Sequence, residues 1–261
     1  AWRPPILPGM RALRPLRRTL AALASALAPS IALVVATPHA ARAWSEQGHM
    51  ATGMLAHDEL ARTAPAVLLE VERVMRAHPE WPRFEARLRG TTGAARRRLL
   101  LAWMARWPDD ARGGPYDHPE WHYAVRVVNA PGAVLRFVTG EANTVYAMQL
   151  AVARRADAPA AERAIALCWL LHLAGDIQQP LHTATWVSWR FPRSDRAGTI
   201  GFVRALPGAA PEQLHEYWDG RLDRAGDPAA GAAATAAAVA VRWPRAALPE
   251  LVEGPADSLR F

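Results

Sequence analysis

Two pairs of residues repeat one spacing in the second half of the chain: His172 and Asp176 in Leu-Leu-His-Leu-Ala-Gly-Asp, and His215 and Asp219 in Leu-His-Glu-Tyr-Trp-Asp. Four residues is about one helical turn, so each spacing sets an imidazole and a carboxylate side by side on one helix face. A lone pair of this kind is ordinarily a solvated ion pair. Both pairs here stand among apolar residues, where an unpaired carboxylate is costly and a divalent cation supplies the missing charge. His182 follows Asp176 by six residues, across Pro180, so the chain turns and can present a further donor near the same point. Two such faces meeting across a bundle are a common way to build a multinuclear metal site. Asp109 in Trp-Pro-Asp-Asp-Ala-Arg and His122 in Trp-His-Tyr are isolated features of the same donor types.

The beginning of the chain adds to this. Arg11, Arg14, Arg17 and Arg18 precede the apolar run Leu20 to Ala36, and Ala41-Arg42-Ala43 offers a small-residue cleavage site. Residues 1–43 therefore read as an export signal with upstream residues; Pro29 interrupts the run, which argues against a membrane anchor. Cleavage after Ala43 would expose the free amine of Trp44, with His49 five residues on. A terminal amine and its own carbonyl can chelate one metal, which would make maturation a condition of full metallation.

Six of the 31 basic residues and none of the 24 acidic ones precede Trp44, leaving 25 against 24. A mature chain so near neutrality is no generic polycation for gripping duplex phosphates, so nucleic-acid binding must come from a site. The single cysteine, Cys168, excludes an intrachain disulfide and reads as a core residue.

The elements that must position these residues are helical almost throughout. The pattern predicts helices over residues 48–61, 66–77 (with Thr63 as N-cap), 94–106 (stopped at Pro108), 143–155, 160–176, 212–224 and 229–241. Tyr123 to Val128 and Gly201 to Val203 alternate and could pair as a minor hairpin. The expectation is one all-α domain over 44–242, a helical bundle with room for a small β-hairpin, followed by an irregular, truncated-looking tail over 243–261.

Taken together, Trp-x-x-x-Gly-His (44–49), Trp-Pro-Asp-x-x-Arg (107–112), Trp-His-Tyr (121–123), Leu-His-x-x-Gly-Asp-x-x-Gln-Pro-Leu-His (171–182) and Leu-His-Glu-Tyr-Trp-Asp (214–219) resemble the zinc-dependent single-strand nucleases of the mung bean nuclease and nuclease P-one/S-one type. That family shares the helical fold of zinc phospholipase C. The resemblance implies three zinc ions. Asp109, His122, His172 and Asp176 would hold one, and His182, His215 and Asp219 a second. The amine and carbonyl of Trp44, with His49 and a bridging Asp176, would hold the third. It also implies hydrolysis of single-stranded DNA and RNA to 5′-phosphate products, with 3′-nucleotidase activity. Asp109, Arg112 and Asp176 would serve catalysis, Arg112 by facing the phosphate, and Tyr123 would stack a base, with Trp186 and Trp189 as second choices. Such a protein would be periplasmic or secreted, off the membrane once cleaved, and monomeric.

The chain departs from the family at Val125, where an acidic or amide residue often reads a base edge, and at Ala197-Gly198-Thr199, where the loop usually reads Gly-Gly-Asn. His57, His78 and His118 match no ligand position and read as surface or structural residues. Two alternatives stand beside the nuclease reading: a zinc-dependent phospholipase C, and a catalytically weak metal-binding helical protein.

Overall fold

A computed structural model describes residues 44–133, 138–139 and 142–247. Residues 1–43, expected to be an export signal, and the tail beyond Ala247 lie outside the described residues. The fold is mostly helical, with two small sheets.

Helix α1 (Glu46–Thr63) begins where Ser45 Oγ accepts from the Gly48 amide, satisfying a donor that the first turn leaves open. Helix α2 (Pro65–Met75) carries proline at its start, where no amide hydrogen is needed. Its cap is Ala64; Thr63, expected there, ends α1 instead. The short α3 (Trp81–Arg87) leads to α4 (Gly93–Asp110), which does not stop at Pro108 as predicted but carries it inside the helix. Proline removes one ladder hydrogen bond and crowds the preceding turn. In that turn the Ala105 carbonyl receives a side-chain donor from another helix, His172 Nδ1 at 2.7 Å, and the helix continues far enough to carry Asp109.

A 3-10 turn at Pro119–His122 precedes β1 (Val125–Asn129) and β2 (Val138–Thr139). Helix α5 (Ala142–Arg154) contains Asn143 and Thr144 in its first turn rather than at a cap. Helix α6 (Ala160–Asp176) runs as the sequence suggests, and α7 (Pro180–Thr183) is a single turn leading into β3 (Ala184–Val187). The two runs expected to form one hairpin do not pair with each other. β1 lies antiparallel to β2 and parallel to β3, with Arg126 opposite Ala184 and Asn129 opposite Val187. β4 (Phe202–Val203) pairs antiparallel with β5 (Glu212–Gln213). Partners as distant in sequence as β1 and β3 leave no local signature.

The single helix expected over 212–224 is instead β5, the six-residue α8 (Leu214–Asp219) and a 3-10 turn at Gly220–Leu222. One reason is visible at the end of α8: the Asp219 carbonyl accepts from the Ser45 amide at 3.0 Å. The Ala-rich α9 (Pro228–Arg242), capped by Asp227, is followed by a 3-10 turn at Arg245–Ala247.

The larger core joins α2, α3, α4, α5 and α6 through Leu68, Met75, Phe84, Leu100, Met104, Trp107, Val145, Trp169 and Leu173. A smaller one, Met50, Met54, Ala102, Ala232 and Ala236, seats α1 between α4 and α9. Each large side chain so buried contributes about 1.5–3 kcal/mol. None of the described helices is long and apolar enough to cross a membrane.

Candidate metal centre

Helix α1 must approach two neighbours closely for its His49 to reach them. A Cβ at Gly53 would stand 2.2 Å from the Leu101 carbonyl oxygen, so only glycine lets α1 lie so near α4. One turn earlier, His49 is opposite Gly175 of α6, where a Cβ would be 3.2 Å from His49 Nδ1. The result is that His49 stacks on His172 with ring centroids 3.8 Å apart. Trp44 fixes the start of α1 to the same place, its indole N–H donating to the Gly175 carbonyl at 2.9 Å.

Around this junction the side chains form three groups, each able to hold a metal ion: His49, His172 and Asp176; Asp109, His122 and His172; and His182, His215 and Asp219. Asp176 is fully buried and central. Its Oδ2 is 3.1 Å from both His122 Nδ1 and His172 Nε2, and its Oδ1 is 3.3 Å from His49 Nε2. Asp109 Oδ2 lies 3.8 Å from His49 Nε2. In the third group His182 and His215 have centroids 5.1 Å apart, and His215 Nε2 is 3.6 Å from Asp219 Oδ2. All eight of these His and Asp side chains expected from the sequence thus meet in one region, though His172 belongs to two groups and His49 joins it directly.

The imidazoles are oriented from behind. His172 Nδ1 donates to the Ala105 carbonyl, His182 Nδ1 to the His122 carbonyl at 2.8 Å, and His215 Nδ1 to the Ala197 carbonyl at 2.6 Å. A proton fixed on Nδ1 leaves Nε2 with its lone pair for a metal. The ring nitrogens of His49, with His122 Nε2 and His182 Nε2, are buried without a hydrogen-bond partner among the described residues. Buried polar atoms are rarely left so, and a cation bound among nitrogen and oxygen donors would satisfy them. The donor set therefore fits a divalent ion.

The electrostatics agree. Burial alone would raise Asp176, but His172, His122 and His49 together hold its carboxyl well below the usual carboxylate range. Burial likewise opposes ionisation of Asp109, and His172, His49 and Arg112 bring it down. Of the stacked pair, burial and its neighbour lower His49, whereas Asp176 outweighs burial and raises His172. Burial pushes Asp219 up to about 8, against a hydrogen bond from Gln179, and takes His182 down to about 4. A cation at this group would stabilise both the carboxylate and the neutral imidazole.

Arg112 is anchored at the rim: its Nε and Nη2 donate to Asp109 Oδ1 at 2.9 and 2.6 Å. Tyr123 stacks on His182 with centroids 4.4 Å apart, so one ring face is taken by the centre itself. Trp186 is 46% and Trp189 87% exposed. His57 and His78 are buried structural residues, the latter set edge-on against Phe84 and Trp107, and His118 stacks on Trp121. Cys168 is buried beside Met75, as a core residue should be.

Sequence reasoning gave no role to Gln179. It is fully buried, donates from Nε2 to Asp219 Oδ1 at 2.7 Å, and accepts the Leu181 amide on Oε1. Its place beside Pro180 in Gln-Pro-Leu-His was the available signal. The orienting carbonyls of Ala105 and Ala197 carry no sequence signal, because every residue has one.

A family model described as S1/P1 Nuclease matches residues 44–245. No curated protein matches the chain.

Proposed function

Because the chain belongs to the S1/P1 nuclease family, we propose that it hydrolyses phosphodiester bonds of single-stranded DNA and RNA to 5′-phosphate products, using three zinc ions, with 3′-nucleotidase activity beside endonuclease activity. The observation that carries this reading is the convergence of buried imidazole nitrogens, several without partners, on Asp176.

Asp109, His122, His172 and Asp176 would hold one zinc, and His182, His215 and Asp219 another. Once a signal over residues 1–43 is cleaved, the amine and carbonyl of Trp44 would hold the third with His49 and Asp176. Bound zinc supplies Lewis-acid activation of water near neutral pH and neutralises charge on phosphate oxygens.

The chain's own side chains do the rest. Asp176 holds its three histidine neighbours in register, and the Ala105, His122 and Ala197 carbonyls fix which nitrogen faces inward. Arg112, held at its Nε edge by Asp109, presents further N–H donors to brace the phosphate as charge develops. Tyr123, backed by His182, would stack a base unstacked from its neighbours; only a single strand supplies such a base readily. Val125, two residues later, offers no carboxylate or amide to read a base edge there. The enzyme would work exported, in the periplasm or outside the cell, as a monomer free of the membrane.

The test is hydrolysis of single-stranded DNA and RNA by protein beginning at Trp44, before and after chelation, with metal counted on the same sample. Chelator-sensitive cleavage with three zincs per chain is the expected result. Zinc without cleavage of either nucleic acid would overturn the substrate, and cleavage that survives chelation would overturn the role of the metal.

A further inference from the structure

Arginines on the helical faces are mostly paired: Arg62 with Glu59, Arg73 with Glu70, Arg98 with Asp58, and Arg106 with Glu46 and Asp110. The loop that follows β3 differs. Arg190, Arg193 and Arg196 are all exposed, and none is within ion-pair distance of a carboxylate among the described residues. The loop's one acidic residue, Asp195, is buried and used internally, accepting from the Thr185 hydroxyl at 2.8 Å and the Trp186 amide at 2.9 Å. That carboxylate pins the loop to β3 and leaves its three cations facing water.

At the tip, Ser188 and Phe191 exchange backbone hydrogen bonds of 3.2 and 3.1 Å, closing a tight turn that projects Trp189 and Arg190. Trp189 is the most exposed of the large hydrophobic residues among those described, with the Arg190 guanidinium 5.5 Å from its ring centroid. It borders a cleft of about 310 Å³ walled by Pro131, Gly132, Val187 and Pro192. This cleft opens where β1 and β3 end together. At their other end β1 follows Tyr123 by two residues, and β3 follows His182 by two. The paired strands therefore lead from the metal centre to the cleft, about 10 Å along β3 at the usual rise, which is the length of about three stacked nucleotides.

We infer that the Trp189 turn and its cleft form a distal subsite for the same single-stranded substrate. A base stacks on Trp189, and Arg190, Arg193 and Arg196 receive the backbone phosphates of nucleotides three or more removed from the scissile bond. The subsite rests on the nuclease reading above and makes the enzyme favour strands over short fragments. In a near-neutral mature chain, cations gathered beside an exposed aromatic ring give a single strand both charge and a stacking face.

The test compares zinc-loaded wild type with Trp189→Ala and Trp189→Phe on a dinucleotide and on a single-stranded decamer. Trp189→Ala is expected to raise KM for the decamer by about tenfold, leaving its kcat and all dinucleotide kinetics unchanged, with Trp189→Phe restoring most of the loss. Replacing the three arginines by alanine should lower the salt dependence of log(kcat/KM) for the decamer by about 2, from three released counterions. Equal losses on both substrates, or none on the decamer, would overturn the subsite while leaving the nuclease intact. Failure of wild type to cleave either substrate would instead remove the nuclease reading. Loss of binding to phosphatidylglycerol vesicles, with decamer kinetics unchanged, would assign the loop to a membrane surface and overturn the inference.

Discussion

His49, Asp109, His172 and Asp176 stand on three helices of 17 or 18 residues, whereas His182, His215 and Asp219 stand on helices of four and six. The first set is aimed by packing. Two glycines set how closely α1 approaches α4 and α6, and the large core fixes how those helices are rotated. The second set is aimed by hydrogen bonds. Gln179 holds Asp219, and Ala197, in the left-handed region at φ 54°, turns its carbonyl to His215. Short elements bury too little apolar surface to define an orientation by themselves, so polar contacts must supply it. One half of the centre is therefore sensitive to volume, and the other to the loss of single polar partners.

Asp176 is the residue that joins most of the centre, and replacing it should erase the distinction. Asp176→Asn is expected to lower kcat/KM by about a thousandfold or more and to reduce metal content beyond one ion. Metal counting beside steady-state hydrolysis checks this, and a variant that lost activity while keeping every ion would break the picture of a shared carboxylate.

The packed half should also be the acid-sensitive one outside the metal groups. Burial against Phe84 and Trp107 takes His78 down to about 4, with Glu80 acting weakly the other way. The unfolded chain binds this proton below pH 6.5, while the folded chain resists it until about 4. Stability is therefore full above 6.5, falls as pH drops through that window, and levels below it, by about 3 kcal/mol in all. Urea unfolding of metal-free wild type and His78→Phe across pH 4–7 should show a shallower decline in the variant.

Gly53→Ala tests volume directly. Its methyl would collide with the Leu101 carbonyl, at an expected cost of about 2 kcal/mol in thermal or urea unfolding. Gln179→Ala tests the other half and is the mildest. It should weaken one metal site by about tenfold, measured by competition with a chelator, and leave the retention of the remaining metal unchanged. If Gln179→Ala released all the metal together, the two halves would not be separable.

The same contrast decides what was legible in the sequence. Helices α1, α6 and α9 were readable because long apolar patterns specify long helices. The His and Asp residues were readable because their spacing survives wherever the helix ends fall. Helix α8 was not, since its ending depends on Ser45, which reaches its carboxyl end from the other end of the domain. Helix α4 likewise continues through Pro108 where its Ala105 carbonyl takes a donor from α6, and β1 finds its parallel partner across α5 and α6. Each of these misses is a tertiary contact overriding a local preference.

The fastening of Ser45 to Asp219 and Asp223, and of Gln47 to Arg224, has a consequence in time. Synthesis runs in one direction, and Ser45 and Gln47 meet Asp223 and Arg224 only when residues 178 and 177 positions later have been made. Until then the start of α1 has Arg106 and the face of α4 to hold it but lacks these later fastenings beside His49. The centre closes as a clasp closes, at the last moment, and until then the growing chain holds metal-binding side chains without a finished place for the metal.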